Sequence, residues 1–285
     1  MNTVYLNGDY MPMEAAQISP LDRGFLFGDG IYEVIPAYNN QLLGFTPHIE
    51  RMNAGLKAIG IPLQWSIEAC RAIAQTLIEQ NGGGNLGVYL QVSRGADTQR
   101  AHAFPEGVTP TVFAFTFKLP APQAVDKNQA KGYKVTTAQD QRWKNCHIKS
   151  TSLLGNVLHV QQGVAQGYHE TLLYNADNAL TEAGACNVYI VKNGVVITPP
   201  LDQQILPGVT RYILLDILRK DGTITVEERV VSMDEVFNAD EVWLTSSTKD
   251  IAPVIEIDGV PVGEGKVGAL WQAAQGLYRA SRFDY

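Results

Sequence analysis

Thr181-Glu182-Ala183-Gly184-Ala185-Cys186-Asn187-Val188-Tyr189 sets a carboxylate among small residues and leads straight into an apolar strand. Small neighbours leave room for a flat ligand against the backbone, and a carboxylate there can pair with a protonated ring nitrogen. The same residues also read as an edge glutamate beside a turn. Outward from this stretch, Asn187 to Ile197 forms a hairpin around Lys192-Asn193-Gly194, residues that tolerate the positive φ of a tight turn. Leu206-Pro207-Gly208-Val209-Thr210 then opens a helix whose Ile213, Leu214, Ile217 and Leu218 recur on one face. The first N–H groups of a helix lack partners and stand at the positive end of its dipole. This start is therefore a candidate anion site, or simply a helix start.

Upstream lies Cys146-His147-Ile148-Lys149-Ser150-Thr151, after a β-rich stretch and before an apolar-periodic segment with Leu153, Leu154, Val157 and Leu158. That spacing predicts an amphipathic helix from Ser150 to about Tyr168 and places the Lys149 ammonium against apolar surface, near the helix start. Both influences favour the neutral, nucleophilic amine, whose common use is a Schiff base with a carbonyl. The bland alternative is a partly exposed structural lysine.

The rest of the chain alternates strands and helices. Val4-Tyr5-Leu6 and the turn Asn7-Gly8-Asp9 predict a hairpin, and Ile31 to Ala37 a strand. Thr46, with Pro47 behind it, predicts the N-cap of a helix to about Gly60. Ser66 predicts the cap of a second, ended by Asn81-Gly82-Gly83-Gly84. Val88 to Ser93 and Thr111 to Lys118 read as strands around a polar loop. Lys134 to Thr137 and Val242 to Leu244 are strands, and Val267 to Arg282 a closing helix. Leu119-Pro120-Ala121-Pro122-Gln123 reads as a stiff spacer. The division is then an N-terminal domain 1–118, a linker 119–129 and a C-terminal domain 130–285, in an α+β chain.

The chain has 285 residues, 45% hydrophobic and 18% charged, with a net charge of −7. These values suit a globular enzyme and, with no Lys/Arg cluster, give no reason to expect nucleic acid or anionic membranes as partners. No apolar run approaches the roughly 20 residues that span a bilayer. Cys70, Cys146 and Cys186 lie far apart without metal spacing, which favours a reducing compartment. Met1 to Asp9 reads as strand and turn rather than as a signal peptide. A cytoplasmic enzyme is expected.

Further residues carry possible chemistry. Thr245-Ser246-Ser247-Thr248 offers hydroxyls after an apolar strand, and Arg51 a bidentate fork for an anion. Each is also readable as ordinary surface. Arg100 and His102 fall on one side of an extended segment, about 7 Å apart. Together they suit a carboxylate; alone they read as residues of a mobile loop. His48, His147, His159 and His169 form no metal spacing, and His159 and His169 are expected to face solvent. Gly82-Gly83-Gly84-Asn85-Leu86-Gly87 fits a dinucleotide fingerprint only formally, since it follows a helix and precedes a strand.

Read together, these residues show a resemblance. From Glu182 through Asn187-Val188-Tyr189 and Val196-Ile197-Thr198 to Leu206-Pro207-Gly208-Val209-Thr210-Arg211, the chain resembles the class IV, fold type IV, pyridoxal-phosphate aminotransferases. Arg23-Gly24-Phe25-Leu26-Phe27-Gly28-Asp29-Gly30-Ile31-Tyr32-Glu33 and His48-Ile49-Glu50-Arg51 are similar to that family's N-terminal motifs. The resemblance runs end to end. It implies a smaller N-terminal α/β domain and a larger C-terminal, β-barrel-like domain with flanking helices.

It also implies pyridoxal phosphate as cofactor, with Lys149 as the Schiff-base lysine and proton carrier. Glu182 would stand at the pyridine nitrogen. Arg51, the Val209 and Thr210 amides, Ser246 and Ser247 would stand at the phosphate. Within the family, Arg100-Ala101-His102 and Lys149-Ser150-Thr151-Ser152-Leu153-Leu154-Gly155-Asn156 resemble the D-amino acid transaminases, in which Tyr32, Arg100 and His102 would hold the substrate carboxylate. Leu153 stands where many branched-chain enzymes have a tyrosine. The implied reaction moves an amino group from a D-amino acid, D-alanine first, to a 2-oxo acid such as 2-oxoglutarate or pyruvate. The implied assembly is a homodimer with shared active sites, in which Arg100 and His102 act across the interface. A branched-chain L-amino acid aminotransferase, an aminodeoxychorismate lyase and a non-catalytic cofactor carrier are the alternatives.

Overall fold

A computed structural model describes residues 2–285, which divide into two compact units. The first runs to Ala121 and takes in Ile148–Leu153 and Tyr285; the second comprises Pro122–His147 and Leu154–Asp284. The two expected parts follow chain order, whereas the segment carrying Lys149 belongs with the first unit.

The first unit contains β1 (Thr3–Leu6), β2 (Asp9–Pro12), α1 (Arg23–Phe27), β3 (Gly30–Tyr38), β4 (Gln41–Leu42), α2 (Phe45–Ala58), α3 (Ile67–Gln80), β5 (Leu86–Ser93) and β6 (Thr111–Lys118). Its strands form one antiparallel sheet in the order β2-β1-β6-β5-β3-β4. Asn7 and Gly8 take positive φ at the β1–β2 turn, as the hairpin requires. Ser66 caps α3 by accepting from the Ala69 amide at 3.0 Å, and Gly82 to Gly84, all with positive φ, turn the chain away after it. α2 starts at Phe45, capped by Gly44 at φ 60 rather than by Thr46. Ile31, Ile35, Ile49, Met52, Leu56 and Leu77 are buried in the core that these elements share. Each such side chain is worth about 1.5–3 kcal/mol over its exposed state.

The second unit contains β7 (Tyr133–Gln139), α4 (Leu154–Ala165), β8 (Glu170–Tyr174), β9 (Leu180–Ala183), β10 (Asn187–Lys192), β11 (Val195–Thr198), α5 (Val209–Asp221), β12 (Thr225–Glu228), α6 (Met233–Phe237), β13 (Glu241–Ser246), β14 (Asp250–Ile257), β15 (Val260–Pro261) and α7 (Ala269–Ser281). The nine-stranded sheet has the order β12-β11-β10-β13-β14-β7-β8-β9, with β15 on β14. β7 runs parallel to both β14 and β8. The Ala183 amide donates to the Cys186 carbonyl at 2.7 Å, bringing the β9 end back to β10 and curling the sheet. Glu241 caps α7, its carboxylate accepting from the Leu270 and Trp271 amides at 2.9 Å. No helix among the described residues is long and apolar enough to cross a membrane.

Two expectations about α4 are corrected. It begins at Leu154, not Ser150, and its apolar face is outward: Leu154, Val157 and Leu158 are 71%, 57% and 60% exposed. His159, expected in solvent, is buried, accepting the Gln141 amide at 3.2 Å through Nε2; His169 is exposed as expected. Close approach to the sheet decided the orientation. A Cβ on Gly163 would stand 2.7 Å from Thr171 Oγ1, and that hydroxyl donates to the His159 carbonyl at 2.7 Å. Small residues and a hydrogen-bonding main chain won over the apolar stripe. Gly163→Val should therefore cost about 1–3 kcal/mol in urea unfolding through overpacking, and Gln162→Val, on the exposed side, less than about 1 kcal/mol. Equal costs would contradict this orientation.

Candidate active site

In the first unit, residues 149–152 lie along the start of β3. The Tyr32 amide donates to the Lys149 carbonyl at 3.1 Å, and the Thr151 amide to the Gly30 carbonyl at 2.9 Å. Thr151 Oγ1 and Ser152 Oγ donate to the Gly28 carbonyl at 2.9 and 3.1 Å. Such closeness demands glycine. A Cβ on Gly28, already at φ 66, would come 2.5 Å from Ser152 Oγ, and one on Gly30 2.8 Å from the Val92 carbonyl oxygen. Lys149 is half-buried, with Nζ 4.0 Å from the centroid of the Tyr32 ring. Tyr32 stacks in turn on Tyr89, at 5.6 Å between centroids. The apolar surface beside the amine is thus aromatic; Leu154, Val157 and Leu158 are exposed.

Strand alternation turns Glu33 away from Tyr32 and buries it completely. Its carboxylate accepts from Arg51 Nε at 2.8 Å and Nη2 at 2.7 Å, and lies 2.6 Å from His48 Nδ1. Burial alone would raise this carboxyl, but the Arg51 and His48 charges and hydrogen bonds hold it down at about 2. Burial pushes His48 the other way, below its ordinary value, against the pull of Glu33. The fork that the sequence offers to an anion is therefore engaged with Glu33 through Nε and Nη2.

Arg100 and His102 are exposed, but their loop is fastened. Both meet the Phe27 ring, Arg100 Cζ at 5.0 Å and the His102 ring at 5.5 Å from its centroid. Arg23 donates to the carbonyls of Ala101, His102 and Ala103.

In the second unit, Glu182 is buried at the end of β9. Oε1 accepts from Arg142 Nη1 at 2.5 Å, and Oε2 from the Leu206 amide at 3.0 Å and Asn187 Nδ2 at 3.4 Å. Burial pushes its carboxyl above the ordinary range, while the Arg142 guanidinium and the Leu206 amide pull it back. Arg142 also donates to Asp140 through Nε at 3.0 Å and Nη2 at 2.7 Å. Asn187 links Glu182 to the start of α5. Its Nδ2 donates to the Leu206 carbonyl at 2.9 Å, and a Cβ on Gly208 would collide with its Oδ1. Gly208 caps α5 without a side-chain bond, and Val209 and Thr210 are buried in the first turn. Asn187 pairs with Thr245 across β10 and β13, directly before Ser246 and Ser247, both half-buried. Glu182, the α5 start and the two serines thus share one end of the sheet. A flat ligand with a basic ring nitrogen and an anionic group fits this donor set.

Arg142, Glu33, His48, Arg23 and Asp29 were not singled out from the sequence as members of a pairing network. Their partners include positions some forty and eighty residues away, and local spacing carries no sign of such pairs.

The model of the class IV amino-transferases matches residues 30–257. The D-alanine aminotransferase of Bacillus licheniformis is 38% identical over 272 residues, 95% of this chain and 94% of that one. The branched-chain amino acid aminotransferase of Escherichia coli superposes with a TM-score of 0.90 at 22% identity, covering 99% of this chain and 94% of that one. The T.th. branched-chain amino acid aminotransferase, solved in complex with N-(5'-phosphopyridoxyl)-L-glutamate, superposes at 0.88 with 22% identity, covering 99% and 94%. These solved chains share the expected two-domain fold type IV architecture. With the motif-bearing strands, the half-buried lysine and the buried carboxylate beside the α5 start in place, the chain belongs to the class IV aminotransferases and is a pyridoxal-phosphate-dependent aminotransferase.

Proposed function

We propose that this aminotransferase takes its amino group from a D-amino acid, D-alanine foremost, and passes it to a 2-oxo acid such as 2-oxoglutarate or pyruvate. The end-to-end identity of 38% with a D-alanine aminotransferase carries this reading. The convergence of Arg100 and His102 on one ring supports it. The branched-chain reading rests on solved structures at 21% to 25% identity, which speak first for the fold.

Bound pyridoxal phosphate supplies an electron sink for the pair left when the substrate loses its α-proton. The chain supplies the rest. Lys149 Nζ would be the amine that holds the cofactor's carbonyl and, when free, the base that takes the substrate's α-proton. Glu182 would stand at the ring nitrogen and keep its proton in place. The Val209 and Thr210 amides, Ser246, Ser247 and Arg51 would bind the phosphate. Tyr32, Arg100 and His102 hold the substrate carboxylate, which leaves the side chain to sort donors.

The enzyme works as a cytoplasmic homodimer in which Arg100 and His102 serve the partner's site. Phe25 and Phe104, 70% and 63% exposed on the first unit, support a protein neighbour there. The cysteines are all free and buried, which supports a reducing compartment. Sedimentation should give twice the chain mass at micromolar concentration; a monomer with full activity would refute the shared site.

Borohydride should fix the cofactor on the peptide containing Lys149, and Lys149→Ala should bind it only reversibly. Fixation at another lysine would overturn the assignment. In single-turnover half-reactions D-alanine should bleach the bound cofactor far faster than L-leucine. Rapid bleaching by L-leucine alone would move the chain to the branched-chain reading.

A further inference from the structure

We infer that a buried Arg23–Asp29–Arg94 lock, with the Phe27 ring beside it, positions the loop that carries Arg100 and His102. It thereby sets the affinity for the substrate carboxylate. The inference rests on the reading of Arg100 and His102 as carboxylate ligands. Arg23 uses its donors in two directions. Nε donates to Asp29 Oδ2 at 2.8 Å, while Nη1 reaches the Ala101 and Ala103 carbonyls at 2.5 and 3.3 Å and Nη2 the His102 carbonyl at 3.1 Å. Three successive carbonyls thus converge on one planar guanidinium, which a lysine's single ammonium cannot reproduce.

Arg94 completes the lock from the end of β5. It donates to Asp29 through Nε at 2.8 Å and Nη2 at 2.9 Å, and to the carbonyls of Gly60 and Ile59 at 3.0 and 2.7 Å. Its guanidinium also lies 3.6 Å from the Phe104 ring centroid, at the far side of the loop. Both arginines are buried, and their charges hold the Asp29 carboxyl below its ordinary range despite burial. The loop base is tied separately: the Arg23 amide donates to the Gly95 carbonyl at 2.9 Å, and Asp22 bridges Ala96. Phe27 then stands under Arg23, Arg100 and His102 at 4.9, 5.0 and 5.5 Å. One ring therefore relates the lock to the two residues that face the substrate. Arg23, Asp29, Arg94 and Phe27 are positioning residues.

The test compares Arg23→Lys, Phe27→Leu, Phe27→Tyr and Arg100→Ala in the holoenzyme, by hydrogen exchange and by kinetics. Arg23→Lys and Phe27→Leu should speed amide exchange across residues 96–104 and raise KM for D-alanine about tenfold, since small misplacements of binding groups cost up to about a hundredfold. Cofactor absorbance and kcat should stay within about twofold of the parent, and Phe27→Tyr, which keeps the ring, should restore both exchange and KM. Should Arg23→Lys fail to fold, Phe27→Leu, on a half-buried site, carries the test. Unchanged exchange overturns the lock. Faster exchange with unchanged KM, where Arg100→Ala raises it, overturns the link to the carboxylate. An unchanged KM in Arg100→Ala itself overturns the underlying reading.

Discussion

The main-chain contact between Tyr32 and Lys149 is the constraint from which the arrangement of the first unit's candidate residues follows. A lysine on a loop would sample many positions; here its carbonyl is pinned by a strand amide at 3.1 Å, and Thr151 repeats the contact with Gly30. Gly28 is glycine because the lysine segment passes where a Cβ would otherwise be, and Gly30 because the Val92 carbonyl of β5 does. The same alternation that gives Tyr32 to the amine gives Glu33 to Arg51. One strand therefore orders an amine on one face and a guanidinium on the other, both before any ligand binds. That is pre-organisation in a concrete sense: the entropy of placing these groups is lost on folding, not at each turnover.

Two buried glutamates show how the same chemistry is tuned in opposite directions. Glu33 faces Arg51 and His48, and its carboxyl falls to about 2. Glu182 faces Arg142, which turns Nε and Nη2 to Asp140, and Asp140 itself opposes ionisation of Glu182. A shared guanidinium neutralises less, so burial prevails and the carboxyl rises. Such a group holds on to a proton more readily than Glu33 does, and it suits a partner whose proton is to be kept between the two. Glu33 suits a permanent countercharge.

Local chemistry was legible in the sequence, and side-chain pairing at a distance was not. Asn7-Gly8 and Asn193-Gly194 act through their own backbone and Ser66 through a hydroxyl that reaches only the next turn, so these turns and this cap could be read directly. Thr46 misled because Gly44 takes the left-handed conformation and starts the helix first. α4 misled more deeply. Its apolar period is real, yet Gly163 and His159 decide its seat, since only a residue without a side chain fits against Thr171. The individual residues Lys149, Glu182, Val209 and Thr210 were visible as types in favourable settings. What Arg142 does for Glu182, or Arg23 for residues 101–103, depends on a fold that brings together positions 40 and about 80 residues apart.

A fold shared at 22% identity with branched-chain aminotransferases leaves the choice of donor to short segments. Lys149, Glu182 and the α5 start are built into strands and a helix, or pinned against them, and the fold itself dictates their geometry. Arg100 and His102 are not; they hang on a loop with no ladder of its own. An exposed loop pays the ordering entropy of its ligating side chains at every binding event unless something else has already ordered it. Buried guanidinium bonds to successive carbonyls do so without occupying the Arg100 and His102 side chains. The backbone of residues 101–103 is thus ordered by the fold, and the Arg100 and His102 side chains stay exposed on it.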